Sequence, residues 1–110
     1  MDEKDIKKLI LGMTLQKIIA IFAEDGPTRE YFPIDRIRSD TGNSENPGFV
    51  SAYAGDQKLF LFYGRTGLEV EAEIWGNGAL KTLRRIKEEY LPAHYPQIKI
   101  FERTIVTKDG

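Results

Sequence analysis

Apolar and acidic residues alternate along residues 68–75, LEVEAEIW, in the pattern of a half-buried strand. Every second residue is apolar, and the positions between them are Glu69, Glu71 and Glu73. The run ends on Trp75, the only tryptophan of the chain. Because successive side chains of a strand point to opposite faces, the pattern predicts one buried face and one face that carries the glutamates.

Two further strands are predicted before this one, at residues 49–54 and 57–63. Both are rich in aromatic and aliphatic residues, and glycine-containing turns at 55–56 and 64–67 bound them. Short connections of this kind join antiparallel neighbours, so the simplest topology is a meander. Residues 97–106, QIKIFERTIV, predict a last strand.

The register between the strands at 57–63 and 68–75 depends on the length of the turn that joins them. A three-residue loop, 65–67, would bring Phe60 and Phe62 to the core face. A turn of two or four residues would bring the alternate set to that face: Leu59, Leu61 and Tyr63. In either register this strand is apolar on both faces. The second face would then mix apolar side chains with the glutamates, which suits a protein partner better than water.

Two helices are predicted with helical spacing of apolar residues. The first covers residues 2–12, with Gly12 as its stop. The second covers residues 78–91, with Asn77 as a cap and i,i+4 ion pairs on its outer side. Its apolar positions form one inward stripe: Ala79, Leu80, Leu83, Ile86, Tyr90 and Leu91.

Residues 14–38 are open to two interpretations. As a helix, the segment would begin at Thr14 and end at Gly26–Pro27. As a hairpin, it would form two strands around the turn Asp25–Gly26. The density of β-branched and aromatic residues favours the hairpin, although a helix would make a helix-turn-helix region conceivable.

These elements predict an α+β fold in a single domain, residues 1–110. The fold would contain one mainly antiparallel sheet of about five to six strands, an N-terminal helix, and the helix at about 78–91 before the last strand. A length of 110 residues and a hydrophobic content of 41% are sufficient for one compact core.

The composition excludes several kinds of chemistry. The chain has no cysteine, which rules out disulfides, thiolate zinc sites and cysteine nucleophiles. Its one histidine, His94, rules out a multi-histidine metal site, so no metal and no cofactor are expected. The start, MDEKDIKK, is charged, and no apolar run reaches the roughly 20 residues that span a bilayer. We therefore expect a cytoplasmic protein without a membrane partner.

A nucleic-acid partner is one alternative function. The helix at 78–91 carries four basic residues that could contact phosphates: Lys81, Arg84, Arg85 and Lys87. Glu88 and Glu89 lie beside them and weaken the positive field.

A metal-dependent nuclease is a more distant alternative. The order helix, three strands, helix, strand is similar to the core of restriction-endonuclease-like nucleases, which use an Asp and then Glu-x-Lys on the next strand. Here Glu71-Ala72-Glu73 occupies the second position, without the lysine. Asp56 would lie about four residues away along the hairpin, or about 13 Å, which is too far to share a metal with Glu71. Glu71 and Glu73 alone would have to hold the ion.

The sequence favours a small non-catalytic binding or regulatory module. We expect it to contact another protein, or a second copy of itself, through the face or edge of its sheet. An exposed tryptophan is a strong anchor in such contacts. The residues expected to take part are Tyr63, Glu69, Glu71, Glu73 and Trp75.

Overall fold

The structure is a computed structural model and describes residues 3–43, 45–64 and 69–107. The helical elements are α1 (Glu3–Glu24), α2 (Gly26–Tyr31), α3 (Asn77–Arg85), a π-helical segment (Ile86–Tyr90) and α4 (Leu91–His94). The strands are β1 (Arg36–Asp40), β2 (Gly48–Ala54), β3 (Gln57–Tyr63), β4 (Val70–Trp75) and β5 (Ile100–Val106). The predicted α+β class, N-terminal helix and helix before the last strand are confirmed.

In the described part of the chain the strands form one sheet in the order β1-β2-β3-β4-β5. Strands β1 to β4 are an antiparallel meander. The meander predicted for the three strands β2 to β4 is confirmed, and β1 extends it by one strand. Strand β5 lies parallel to β4, since the chain returns through α3, the π-helical segment and α4 before it begins. The sheet is therefore mainly antiparallel with one parallel edge strand.

The register of β3 against β4 places Tyr63 opposite Val70 and Leu61 opposite Ala72. The Gly64 N–H donates to the Glu69 carbonyl, with an N···O distance of 3.2 Å, beyond the last strand pair. This is the register expected of an even-numbered turn, and the alternative with a three-residue loop is wrong. The turn residues 65–68 themselves lie outside the described residues.

The core lies between the helices and one face of the sheet. That face supplies the alternate residues of β3: Leu59, Leu61 and Tyr63. From the other side, α1 and the helical region after β4 contribute the main apolar side chains: Leu15, Ile18, Ile19, Phe22, Leu83 and Ile86. Most of the predicted inward stripe of the second helix is therefore in the core.

The hairpin favoured for residues 14–38 and the predicted helix end at Gly12 are both wrong. Helix α1 continues through Gly12 to Glu24, and only Arg36 to Arg38 of the segment enter a strand. The spacing 15, 18, 19 and 22 buries one stripe of the helix against the sheet, and this burial overrides the β-propensity of the same residues. Thr14 does not cap a helix, since its hydroxyl donates to the Ile10 carbonyl at 2.8 Å.

Gly12 is required by close packing, not by a helix end. The ring of Tyr63 lies between Gly12 and Gly48, and a methyl group at either position would overlap it. The Tyr63 hydroxyl donates to the Asp40 carbonyl at 3.1 Å. Burial raises the pKa of Tyr63, with a smaller contribution from the charge of Asp40, so the phenol keeps its proton.

Helix α2 is capped at its start by Asp25, which also connects it to α3. The Asp25 carboxylate accepts hydrogen bonds from the Thr28 N–H, the Thr28 hydroxyl and the Arg85 guanidinium, the last at 2.6 Å. Arg85 also donates to the Tyr31 hydroxyl at 3.3 Å. The hydrogen bond from Arg85 is the main reason why the pKa of Asp25 is lowered from 3.8 to about 2.

Helix α3 is capped by a side chain from another element. Residue Gly76, at φ +104°, precedes the helix, and Asn77 is its first residue, so the predicted cap at Asn77 is wrong. The Gln57 amide oxygen accepts the Ala79 N–H at 3.1 Å, and the Gln57 amide nitrogen donates to the Tyr31 carbonyl at 3.1 Å. One amide from the start of β3 therefore joins the end of α2 to the start of α3.

Gly12→Ala is expected to destabilise the protein. Alanine in an open helix is about 1 kcal/mol better than glycine, but here its methyl group would overlap the Tyr63 ring. We expect a loss of roughly 1–3 kcal/mol in the free energy of unfolding, measured by urea denaturation. The loss should be smaller in a Tyr63→Phe background, since that change removes the nearest atom. A gain in stability from Gly12→Ala would contradict the packing.

The Asp25–Arg85 ion pair should give the protein an acid-dependent stability. The pKa of Asp25 is about 2 in the fold against an ordinary value of 3.8, so its stabilisation is complete above 3.8 and is lost as the pH falls through 2. Arg85→Ala should lower the free energy of unfolding at neutral pH by roughly 1–3 kcal/mol and flatten this dependence. Arg84→Ala, which removes an exposed ion pair with Glu102, is the control. It should neither lower the free energy of unfolding by this amount nor flatten its dependence on pH.

Candidate functional site

The sheet face that points away from the helices carries a grid of side chains, which we call the open face. Across the strands, its first row is Arg36, Tyr53, Lys58 and Trp75. Its second row is Arg38, Ser51, Phe60 and Glu73. Its third row is Asp40, Phe49, Phe62, Glu71 and Phe101. Except for the buried Ser51, these side chains are half-buried or exposed.

Three phenylalanines lie together at the centre of the open face, and we call them the phenylalanine cluster. Phe49 and Phe60 are stacked, with ring centroids 5.0 Å apart, and Phe60 and Phe62 have centroids 5.6 Å apart. All three rings are partly open to solvent. Aromatic side chains that stay accessible beside one another are typical of contact surfaces.

The cationic side chains of the first row lie over aromatic rings of the open face. The guanidinium of Arg36 is 4.4 Å from the ring centroid of Tyr53. The ammonium of Lys58 is 4.7 Å from the centroid of Phe60 and 5.1 Å from that of Trp75. These cation–π contacts hold the charges on the sheet surface.

Arg36, Arg38 and Lys58 make one end of the open face positive, and we call them the basic corner. The same end of the face contains Tyr53, whose pKa is lowered. The largest cause is the hydrogen bond from the Ser51 hydroxyl at 3.3 Å, and the three cations add to it against the opposing effect of burial.

Two of the three predicted glutamates, Glu71 and Glu73, lie on the open face, and Glu69 lies just before β4. Glu71 forms an ion pair with Arg103 at 3.2 Å, and the Arg103 guanidinium is 5.4 Å from the ring centroid of Phe62. Glu73 is half-buried opposite Phe60. Glu69 is exposed just before β4, and its carbonyl accepts the Gly64 N–H.

The structure therefore brings together Glu71, Glu73 and Trp75 but not Tyr63. Tyr63 lies in the core with 1% of its surface exposed, because the register of β3 turns it towards the helices. The phenylalanine cluster and the basic corner were not named from the sequence. The sequence shows apolar residues on both faces of β3, but only the register of β3 against its neighbours determines which of them face the core.

The four basic residues proposed for nucleic-acid binding are engaged within the fold. Arg84 and Lys87 both bind Glu102, at 3.2 and 2.7 Å, and these contacts lower the pKa of Glu102, with Lys87 the larger cause. Arg85 binds Asp25, and Lys81 lies 4.4 Å from the ring centroid of Tyr31. Three of the four charges are thus paired with carboxylates, which reduces the positive field of the helix.

A pocket of about 510 Å³ continues from the open face at Trp75. It lies between the β2–β3 turn and the start of α3, with Tyr31 and Val106 in its walls. Asp56 is the charged side chain among the described residues that line it. Over residues 3–43, 45–64 and 69–107, no group of three or more Asp, Glu or His side chains is arranged to hold a metal ion.

Comparison of the chain with protein families, with curated proteins and with solved structures finds no match. None of the helices in the described ranges combines the length and hydrophobicity needed to cross a membrane. The candidate site is therefore defined by the geometry of the open face.

Tyr63→Ala and Trp75→Ala should differ strongly in their effect on stability. Tyr63 is fully enclosed, so its truncation should lower the free energy of unfolding by about 3–5 kcal/mol. Trp75 is half-buried on the open face, so its truncation should change that energy by about 1 kcal/mol or less. Urea denaturation followed by circular dichroism measures both, and a similar loss in the two variants would contradict the assignment of Trp75 to the open face.

Proposed function

We propose that the protein is a non-catalytic binding module that contacts a partner polypeptide through the open face of its sheet. The observation that carries the proposal is the phenylalanine cluster, which is accessible to solvent and flanked by arginine and lysine side chains. Protein interfaces are typically rich in aromatic and arginine residues at their centre and have a charged rim.

The charges of the open face indicate the chemistry of the partner. Among the described residues, Arg36 and Lys58 contact aromatic rings. Glu71, by contrast, already forms an ion pair with Arg103. The basic corner is therefore the end of the face that a partner can neutralise. We infer a partner segment that places apolar side chains on the phenylalanine cluster and Asp or Glu side chains on the basic corner.

The dimensions of the open face favour a short segment over a whole domain. Five strands, each about 4.8 Å wide, and three rows, each about 7 Å deep, give a flat area of about 500 Å². A standard protein partner buries about 800 Å² on each side. A contact of this size is suited to an extended peptide with affinity in the micromolar range.

Single-stranded nucleic acid is a second candidate for the same face. The first row alternates cations with aromatic rings, Arg36, Tyr53, Lys58 and Trp75, as in surfaces that stack bases and bind phosphates. Glu71 and Glu73 oppose it, since they would repel a phosphate chain that crosses the face. This candidate replaces the basic helix with the sheet as the nucleic-acid surface.

Selection of a displayed random-peptide library on the immobilised protein tests the proposal. We expect enriched peptides to combine aromatic or aliphatic residues with Asp or Glu. Synthetic, tryptophan-free versions should change the fluorescence of Trp75, which is the only tryptophan and lies on the open face. Phe60→Ser and Lys58→Glu should each weaken binding about tenfold or more, a loss of about 1.4 kcal/mol.

Two matched variants serve as controls for this selection. Ile21→Ser removes an exposed apolar side chain from α1, and Lys99→Glu reverses an exposed lysine outside the open face. Neither should alter peptide binding. Failure to enrich any peptide, together with salt-sensitive binding of a labelled oligothymidylate that Lys58→Glu abolishes, would replace the peptide partner with nucleic acid.

A further inference from the structure

Helix α1 is apolar on two opposite sides. Its inner side is buried in the core through Leu15, Ile18 and Ile19. Its outer side carries a second set of large apolar residues, which we call the outer stripe: Ile6, Leu9, Ile10 and Met13. Between 38% and 63% of each of these side chains is exposed. A helix that is apolar all round is normally buried on all sides, so the outer stripe indicates a further contact.

The outer stripe is bounded by opposite charges at equal distances. Its members have the spacing i, i+3, i+4 and i+7, which places them on one face of the helix. Glu3 lies seven residues before Ile10 and Lys17 lies seven residues after it, and both are exposed. Within its own helix Glu3 forms an exposed i,i+4 ion pair with Lys7 at 3.4 Å, so in a pair of helices its carboxylate would be shared between Lys7 and the second copy. Because seven residues are close to two helical turns, Glu3, Ile10 and Lys17 point in nearly the same direction.

We propose that α1 pairs with α1 of a second copy of this chain, antiparallel and with the crossing point at Ile10. In this arrangement Ile10 meets its own counterpart, and Ile6 packs beside Met13 of the second copy. Glu3 then lies opposite Lys17 of the second copy, and the symmetry of the pair creates this contact twice. A parallel pair would instead oppose Glu3 to Glu3 and Lys17 to Lys17, so the charges select the antiparallel arrangement.

The length of the paired segment sets the expected strength of the contact. From Glu3 to Lys17 the helix extends about 22 Å at 1.5 Å per residue. A contact of this length lies at the low end of specific interfaces. We therefore expect a reversible dimer with a dissociation constant in the micromolar range.

The pairing of α1 has a consequence for the open face. The helices lie on one side of the sheet, so two chains joined through α1 would have their helices inside and their open faces outside. If the open face binds a peptide, as proposed above, the dimer would bind two peptides on opposite surfaces. A partner that carries two such peptide segments would then bind the dimer more tightly, because the second segment binds at a higher effective concentration once the first is bound.

Disulfide cross-linking tests the crossing point directly, since the chain contains no cysteine. Ile10→Cys places a thiol on the symmetry axis, where two copies can reach the short Cα separation of a disulfide. Mild oxidation should convert most of this variant to a covalent dimer. Ala20→Cys, an exposed position further along α1, is the control, because its two copies would lie about 30 Å apart. Equal cross-linking of both variants would refute the arrangement.

Charge reversal tests the two ion pairs in sedimentation experiments over a range of protein concentrations. Glu3→Lys and Lys17→Glu should each raise the dissociation constant about tenfold, since each opposes like charges twice. The double variant Glu3→Lys/Lys17→Glu should restore the dimer. Loss of dimer in the double variant equal to that in the single ones would overturn the proposed charge pairing.

A variant of the open face separates this inference from the proposed function. Phe60→Glu should leave the dimer intact, and Ile10→Glu should make the protein monomeric while peptide binding to each chain is kept. A protein that is monomeric at every concentration tested would overturn the pairing of α1 without affecting the open face. A dimer that is lost with Phe60→Glu and kept with Ile10→Glu would show that the self-contact uses the sheet.

Discussion

Strand β3 has large apolar side chains on both of its faces, and the helices can cover only one of them. The pairing of Tyr63 with Val70 determines which set is covered. With this register, Leu59 and Leu61 lie in the core, while Phe60 and Phe62 lie on the other side with Phe49. A shift of one residue would exchange the two sets. The composition of the open face is therefore a consequence of one hydrogen-bond register, and the close fit of the Tyr63 ring against Gly12 and Gly48 helps to maintain it.

The elements that local pattern and short turns define could be predicted from the sequence. The alternation in β4, the turn at Gly55–Asp56 and the apolar stripe of the helix after β4 all correspond to elements of the structure. The second half of α1, after Gly12, could not be assigned from the sequence, because its β-branched residues are also favourable in a strand, and burial of one stripe against the sheet decides for the helix. Gly12 illustrates the same limit: a glycine that admits a distant aromatic ring has the same sequence signature as a helix end.

The candidate site could be predicted only in part, for a related reason. Glu71, Glu73 and Trp75 follow from the alternation of a single strand, and the structure places them on the open face. The phenylalanine cluster combines side chains from β2 and β3, so it depends on cross-strand register, which short-range pattern does not specify. The basic helix shows the reverse problem. Its charges are visible in the sequence, but their partners Asp25 and Glu102 are distant along the chain.

The parallel pairing of β4 and β5 has consequences for how the chain folds. Within the meander, paired residues are close in sequence, whereas Val70 pairs with Ile100 across the whole helical crossover. Contacts of higher sequence separation form more slowly, because a longer loop must close before they are gained. The ion pairs of Arg84 and Lys87 with Glu102 join the crossover helices to β5. We therefore expect the meander to form early and β5 to arrive last, together with those helices, so that the nascent chain passes through a stage in which the edge of β4 is uncovered and prone to pair with other chains.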